Sequence, residues 1–138
     1  MKYLFDTDFI SALMKRKVPQ HILLRLQKIS PESQAISSIT VYEVYYGAHR
    51  SSAPQHFIML FEQLVLPAIQ VIPFDETAAR IAGRLRVELE QKGTPIAPAD
   101  LQIAAIAVAT GRILVTGNTR HFAHIPGLDI ENWLEVSS

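Results

Sequence analysis

Asp6, Glu43 and Asp100 are the residues of this 138-residue chain whose type and setting point most directly to chemistry. Asp6 closes an apolar, aromatic run, and Asp8 follows it directly after Thr7. Glu43 has Ile39, Thr40 and Gly47 as its helical neighbours, and Gly47 would let a backbone or a substrate come close. Asp100 falls in the first turn of a segment opened by Pro98, and the rest of that segment is too apolar to lie at the surface. Each also has an ordinary reading. Aspartates cap helices and turns, and helical glutamates are usually exposed. Brought together, the three would behave differently. Two carboxylates about 5 Å apart repel by roughly 3 kcal/mol at an effective dielectric near 20. A cluster of three therefore calls for protons or a cation. Oxygen donors suit hard ions such as Mg²⁺ or Mn²⁺. Such an ion lowers the pKa of a bound water and offsets charge on a phosphoryl oxygen, which is the chemistry of phosphodiester hydrolysis.

Positioning these side chains requires strands that end where the acids begin. Residues 2–5 read as a buried strand stopping at Asp6, and residues 9–14 as a helix. Pro19 breaks the chain after the basic run Lys15-Arg16-Lys17. Apolar spacing predicts helices over 21–29, 40–49 and 55–66, with strands at 34–37 and 69–73. Asp75 is placed to cap a long helix with a stripe of Ala78, Ile81, Leu85 and Leu89, and Gly93 to stop it. A helix buried on most sides follows Pro98. A strand over 112–116 and a short one over 128–130 complete the pattern. Alternation of this kind predicts an α/β fold with a parallel sheet covered on both faces. Ligands then bind at the carboxyl ends of the strands, where Asp6 and the Thr116-Gly117-Asn118 turn fall.

Composition narrows the classes. The length suits a single domain over residues 1–138, and no apolar run is long enough to span a membrane. The acidic interruption at Asp6 comes too early for a signal peptide. The absence of cysteine excludes disulfides, thiolate zinc sites and cysteine nucleophiles, and suits a reducing cytoplasm. His21, His49, His56, His121 and His124 show no zinc-protease spacing, and there is neither a nucleophile-elbow serine nor a glycine-rich phosphate loop. Thirteen basic and thirteen acidic residues cancel, so any contact with nucleic acid must come from local clusters. Lys15-Arg16-Lys17 and Arg120-His121 are the candidates, against the alternative of solvated loops. Tyr42, Tyr45 and Tyr46 read as core or dimer-contact aromatics rather than stacking platforms.

Four segments in order resemble the PIN-domain nucleases, particularly the VapC-type toxins of toxin–antitoxin pairs. They are Tyr3-Leu4-Phe5-Asp6-Thr7-Asp8-Phe9-Ile10, the Glu43 stretch from Ser37 to Gly47, the Asp100 stretch from Pro95 to Ala107, and Leu114-Val115-Thr116-Gly117-Asn118-Thr119-Arg120-His121-Phe122 with Ile125-Pro126-Gly127-Leu128 after it. The resemblance implies a three-layer α/β/α sandwich with a central, mostly parallel sheet, and a Mg²⁺- or Mn²⁺-dependent endoribonuclease acting through a metal-activated water. It implies that Asp6, Glu43 and Asp100 hold the metal, with Thr116 orienting a water or phosphate oxygen. Asn118 falls where many relatives carry a fourth acid, which bears against a tightly held second metal. Asp8 stands where many have asparagine and would act at one remove from the ion. A homodimer inhibited by a cognate antitoxin is also implied, with the antitoxin's C-terminal segment in the acidic groove.

Three other readings compete. Asp6-Thr7-Asp8 is similar to the D-x-D of haloacid-dehalogenase phosphatases, but those need a downstream lysine and none follows Lys92. A response-regulator receiver lacks its late lysine here for the same reason. A PIN-like RNA-binding or interaction subunit without activity is opposed by the three acids and left open by Asn118.

Overall fold

A computed structural model describes residues 1–135; the last three residues of the expected 1–138 domain lie outside the described residues. The chain runs β1 (Tyr3–Phe5), α1 (Thr7–Leu13), α2 (Gln20–Gln27), β2 (Gln34–Ser37), α3 (Ser38–Arg50), α4 (Pro54–Leu60), β3 (Gln70–Ile72), α5 (Glu76–Gln91), α6 (Pro98–Thr110), β4 (Ile113–Val115), α7 (Thr119–Phe122) and β5 (Ile130–Glu131). The five strands pair in the order β3-β2-β1-β4-β5, every pair parallel. Alternation along these short strands splits the core in two. Leu4, Ala35 and Leu114 face α5 and α6, while Phe5, Ile36 and Val115 face Phe9, Ile22, Val44 and Trp133. The expected three-layer α/β/α sandwich is what forms.

Local chemistry explains most boundaries. Asp75 accepts from the Ala78 amide at 2.9 Å and starts α5, and Gly93, at φ 72°, ends the turn after it. Pro98 opens α6, whose interior residues Leu101 and Ile103 to Ala107 are all buried. The first helix begins at Thr7 rather than residue 9, because Asp6 is extended (φ −72°, ψ 164°) and caps it. The helix expected over 55–66 breaks after Leu60 into a π-helical turn, Phe61–Val65, and a 3₁₀ turn, Leu66–Ala68. Pro67 has no N–H for an α-helical bond and crowds Leu66, so the segment cannot continue as it began. In α5 the buried stripe is Ala78, Ala82, Leu85 and Leu89, with Ile81 at its edge.

β1 is the switch point of the sheet: the chain leaves it toward β2 on one side, and β4 joins it on the other. The register Phe5↔Val115 makes Asp6 and Thr116 the next residues along both strands. The crevice between two such carboxyl ends is where ligands bind in sheets of this type.

At the opposite end of the strands, buried Arg112 donates to Tyr3 O at 3.1 Å, Ser33 O at 3.4 Å and Gln70 Oε1 at 3.4 Å. Its burial pulls the guanidinium below its usual range, and no carboxylate is paired with it among the described residues. Arg112→Met keeps the apolar stem but strands these three acceptors. We expect a loss of about 2–3 kcal/mol in urea unfolding. An unchanged midpoint would show that water replaces the guanidinium without cost.

Candidate active site

Asp6 sits at the centre of the acidic crevice and is 3% exposed. Its Oδ1 accepts from the Thr7 amide at 2.8 Å, and its Oδ2 from Thr116 Oγ1 at 2.8 Å. Both bonds favour the carboxylate. Burial outweighs them and, with the negative charges of Asp8 and Asp100, pushes the Asp6 carboxyl up to about 7. Asp8, on the first turn of α1, reaches across to the other strand end, where its Oδ2 accepts from the Gly117 amide at 2.8 Å. Thr116 Oγ1 in turn accepts from the Asn118 amide at 3.0 Å. A Cβ on Gly117 would lie 2.8 Å from Asp8 Oδ2 and 2.9 Å from Leu134 Cδ1, so only glycine leaves the crevice this shape.

Asp100 enters from the first turn of α6. Its carboxyl is raised chiefly by burial, with the charge of Asp8 adding to the effect and His121 opposing it. His121 Nδ1, on α7, lies 3.6 Å from Asp100 Oδ2. Glu43 arrives from α3 and accepts from Thr7 Oγ1 at 2.6 Å. Thr7 thus binds Asp6 through its amide and Glu43 through its hydroxyl.

Asp6, Asp8 and Thr116 are therefore joined in one crevice, with Asp100 coupled to it by charge and Glu43 joined to it through Thr7. Asn118 contributes its amide to Thr116; no side-chain capping bond forms at its position before α7. No three acidic or histidine side chains lie close enough to ligate one ion together among the described residues. The donors nonetheless fit a hard divalent ion. All are carboxylate oxygens, the most buried is disfavoured as an anion by its burial, with the charges of Asp8 and Asp100 adding to the effect, and Mg²⁺ is commonly held by one or two carboxylates while keeping several waters.

Of the basic candidates, Lys15 and Arg16 line an open groove of about 990 Å³ that also takes in Glu43, Val44, His56 and Leu60. His121 stands beside Asp100. Tyr42 and Tyr46 are exposed rather than in the core. Tyr45 packs edge-on against Phe61 and donates to Glu62 at 2.6 Å, which raises its phenol above the usual range. Sequence reasoning passed over Thr7 and Thr40, whose hydroxyls lie 3.0 Å apart between α1 and α3. The only signal was that Thr7 separates two acids already singled out.

Residues 3–128 match the PIN domain family. The chain is 38% identical to the tRNA(fMet)-specific endonuclease VapC of Salmonella typhimurium, over 96% of this chain and 98% of that protein. A structure of DNA-bound VapBC from Salmonella typhimurium superposes with a TM-score of 0.89 at 38% identity, covering 96% of this chain and 98% of that one. A toxin–antitoxin complex from Klebsiella pneumoniae superposes at 0.72 with 28% identity, covering 98% and 100%.

Proposed function

The chain belongs to the PIN domain family, and from that membership we propose that it is the ribonuclease toxin of a toxin–antitoxin pair, hydrolysing RNA phosphodiester bonds in the crevice around Asp6. The phosphatase-like and receiver-like alternatives fall with that membership. The observation that carries the reading is a buried carboxyl at the switch point of the sheet, held at about 7 with two further aspartates acting on it. Such a group is unfavourable for stability and is arranged for use.

Asp6 and Asp100 would hold a Mg²⁺ or Mn²⁺ ion, with Glu43 beside it and Asp8 acting through Thr116 and Gly117. When bound, the ion supplies Lewis acidity toward a phosphoryl oxygen and acidifies a water. Thr116 keeps Asp6 oriented by its hydroxyl. Glu43 Oε1 is engaged by Thr7, which leaves Oε2 to accept the proton of the attacking water. Attack by water leaves a 5′-phosphate. Lys15 and Arg16 offset the repulsion between an acidic crevice and the RNA backbone. The groove between α1, α3 and α4 suits an apolar segment of the antitoxin, whose docking beside Glu43 would close the site. A homodimer is proposed on resemblance to the family. No helix among the described residues is long and apolar enough to cross a membrane, and a cytoplasmic location accords with the cysteine-free chain.

Initiator tRNA is the first substrate to try, since the Salmonella relative is named for it. With Mn²⁺ or Mg²⁺ the protein should release 5′-phosphorylated fragments, and EDTA should stop it. Asp100→Asn should lower the rate by about 100-fold or more. Cleavage by Asp100→Asn at the unaltered rate, or in EDTA, refutes the proposal.

A further inference from the structure

We propose that Thr7 is a positioning residue, the half-buried last member of a hydroxyl chain that begins in the core and fixes the side chain of Glu43 beside Asp6. The inference rests on the function proposed above and adds a role to a residue outside its acidic set.

Proton accounting gives the chain a direction. Ser37 Oγ caps α3 by accepting from the Thr40 amide at 3.0 Å, and its own proton points to Thr40 Oγ1 at 3.3 Å. At the other end, Thr7 Oγ1 donates its one hydroxyl proton to Glu43 Oε1 at 2.6 Å. The 3.0 Å contact between Thr7 Oγ1 and Thr40 Oγ1 must then carry the Thr40 proton toward Thr7. All three hydroxyls donate in one sense, from the start of α3 to the carboxylate, and aligned bonds of this kind strengthen one another. Ser37 and Thr40 are both 0% exposed, so water does not compete for the upper part of the chain.

A glutamate on a helix surface has many rotamers, and freezing one costs entropy. Thr7 meets that need from a fixed place. Its backbone is held by the Asp6 cap in the first turn of α1, and its amide binds Asp6 Oδ1 while its hydroxyl binds Glu43. One residue therefore sets the relation between two acids on different elements, Asp6 at the end of β1 and Glu43 on α3. Misplacement of a catalytic group by about 1 Å can cost 100-fold in rate, so loss of this one hydroxyl should be visible.

The test compares Thr7→Val, which keeps the shape and removes the hydroxyl, with Thr7→Ser, which keeps the hydroxyl. Thr7→Val should lower kcat by roughly 10- to 100-fold with KM nearly unchanged, and Thr7→Ser should recover most of it. In a Glu43→Gln background, Thr7→Val should cost nothing more. In the metal-free protein, ¹³C relaxation of the Glu43 side chain should report a rigid group in the unaltered protein and Thr7→Ser, and faster motion in Thr7→Val. If Thr7→Val folds poorly, Thr7→Ala serves in the relaxation and rate measurements. A rigid Glu43 without the Thr7 hydroxyl, or a full additional loss in the Glu43→Gln background, overturns the positioning role. Glu43→Gln cleaving at the unaltered rate would instead overturn the role given to Glu43 in the reaction, while the relaxation measurement still decides the positioning.

Discussion

Asp6→Asn is expected to abolish RNA cleavage and, at the same time, to stabilise the metal-free protein at neutral pH. The two effects share one cause. The folded carboxyl sits at about 7, whereas its ordinary value is 3.8. A raised folded pKa means that the fold keeps a proton which the unfolded chain gives up. The associated stability is complete below about pH 4, is lost as pH rises through 7, and changes no further above that. A gap of about three units corresponds to roughly 4 kcal/mol. Asparagine carries no charge and escapes this loss. Its Oδ1 can keep the Thr7 amide bond, and its amide nitrogen can donate to Thr116 Oγ1, whose own proton then turns toward Asp8 Oδ1, 3.5 Å away. In EDTA at pH 8 the variant should melt at least about 5 °C higher than the unaltered protein, and at pH 4 the two should nearly coincide. Cleavage with Mn²⁺ should fall by about 100-fold or more. Equal destabilisation at both pH values would mean that Asp6 serves only as a helix cap.

The parts of this molecule that were legible in the sequence are those fixed by local chemistry. Asp75 and Gly93 bracket α5, Pro98 opens α6, and Asp6 ends β1, because capping, proline geometry and positive φ act within a few residues. The acidic crevice was legible through strand ends, since a parallel sheet gathers them on one side. What escaped depends on the crossing of distant elements. Asp8 looked secondary because it lies on α1 beyond Asp6, yet its carboxylate bonds the Gly117 amide and its charge acts on both Asp6 and Asp100. The Thr7–Thr40 contact requires α1 and α3 to approach within a hydroxyl's reach, and no periodicity encodes that distance. The four-residue α7, which carries His121 to Asp100, is too short to show a helical pattern. The π-helical turn after α4 likewise hides inside an apolar spacing that a regular helix would also have.

Metal and proton should compete for Asp6, and this gives the second large effect. Below pH 7 a divalent ion must displace a proton from Asp6, so its apparent affinity should rise about tenfold per pH unit and level off above 7. A ligand that binds only the folded state adds about 3 kcal/mol at one hundred times its Kd. The difference in melting temperature between Mn²⁺ and EDTA should therefore be small at pH 5.5, grow through pH 7 and be flat by pH 8.5. The metal-free protein loses stability over the same interval and metal binding restores what is lost, so the Mn²⁺ melting curve should stay nearly level while the EDTA curve falls away from it as pH rises. Asp6→Asn should show no such divergence, having neither the proton to lose nor the charge to offer. Cleavage at Mn²⁺ well below saturation should climb with the same slope, because the fraction of metal-loaded protein limits it. A Mn²⁺ stabilisation that stays constant from pH 5.5 to 8.5 would place the ion away from Asp6, and the crevice at the end of β1 would no longer be its site.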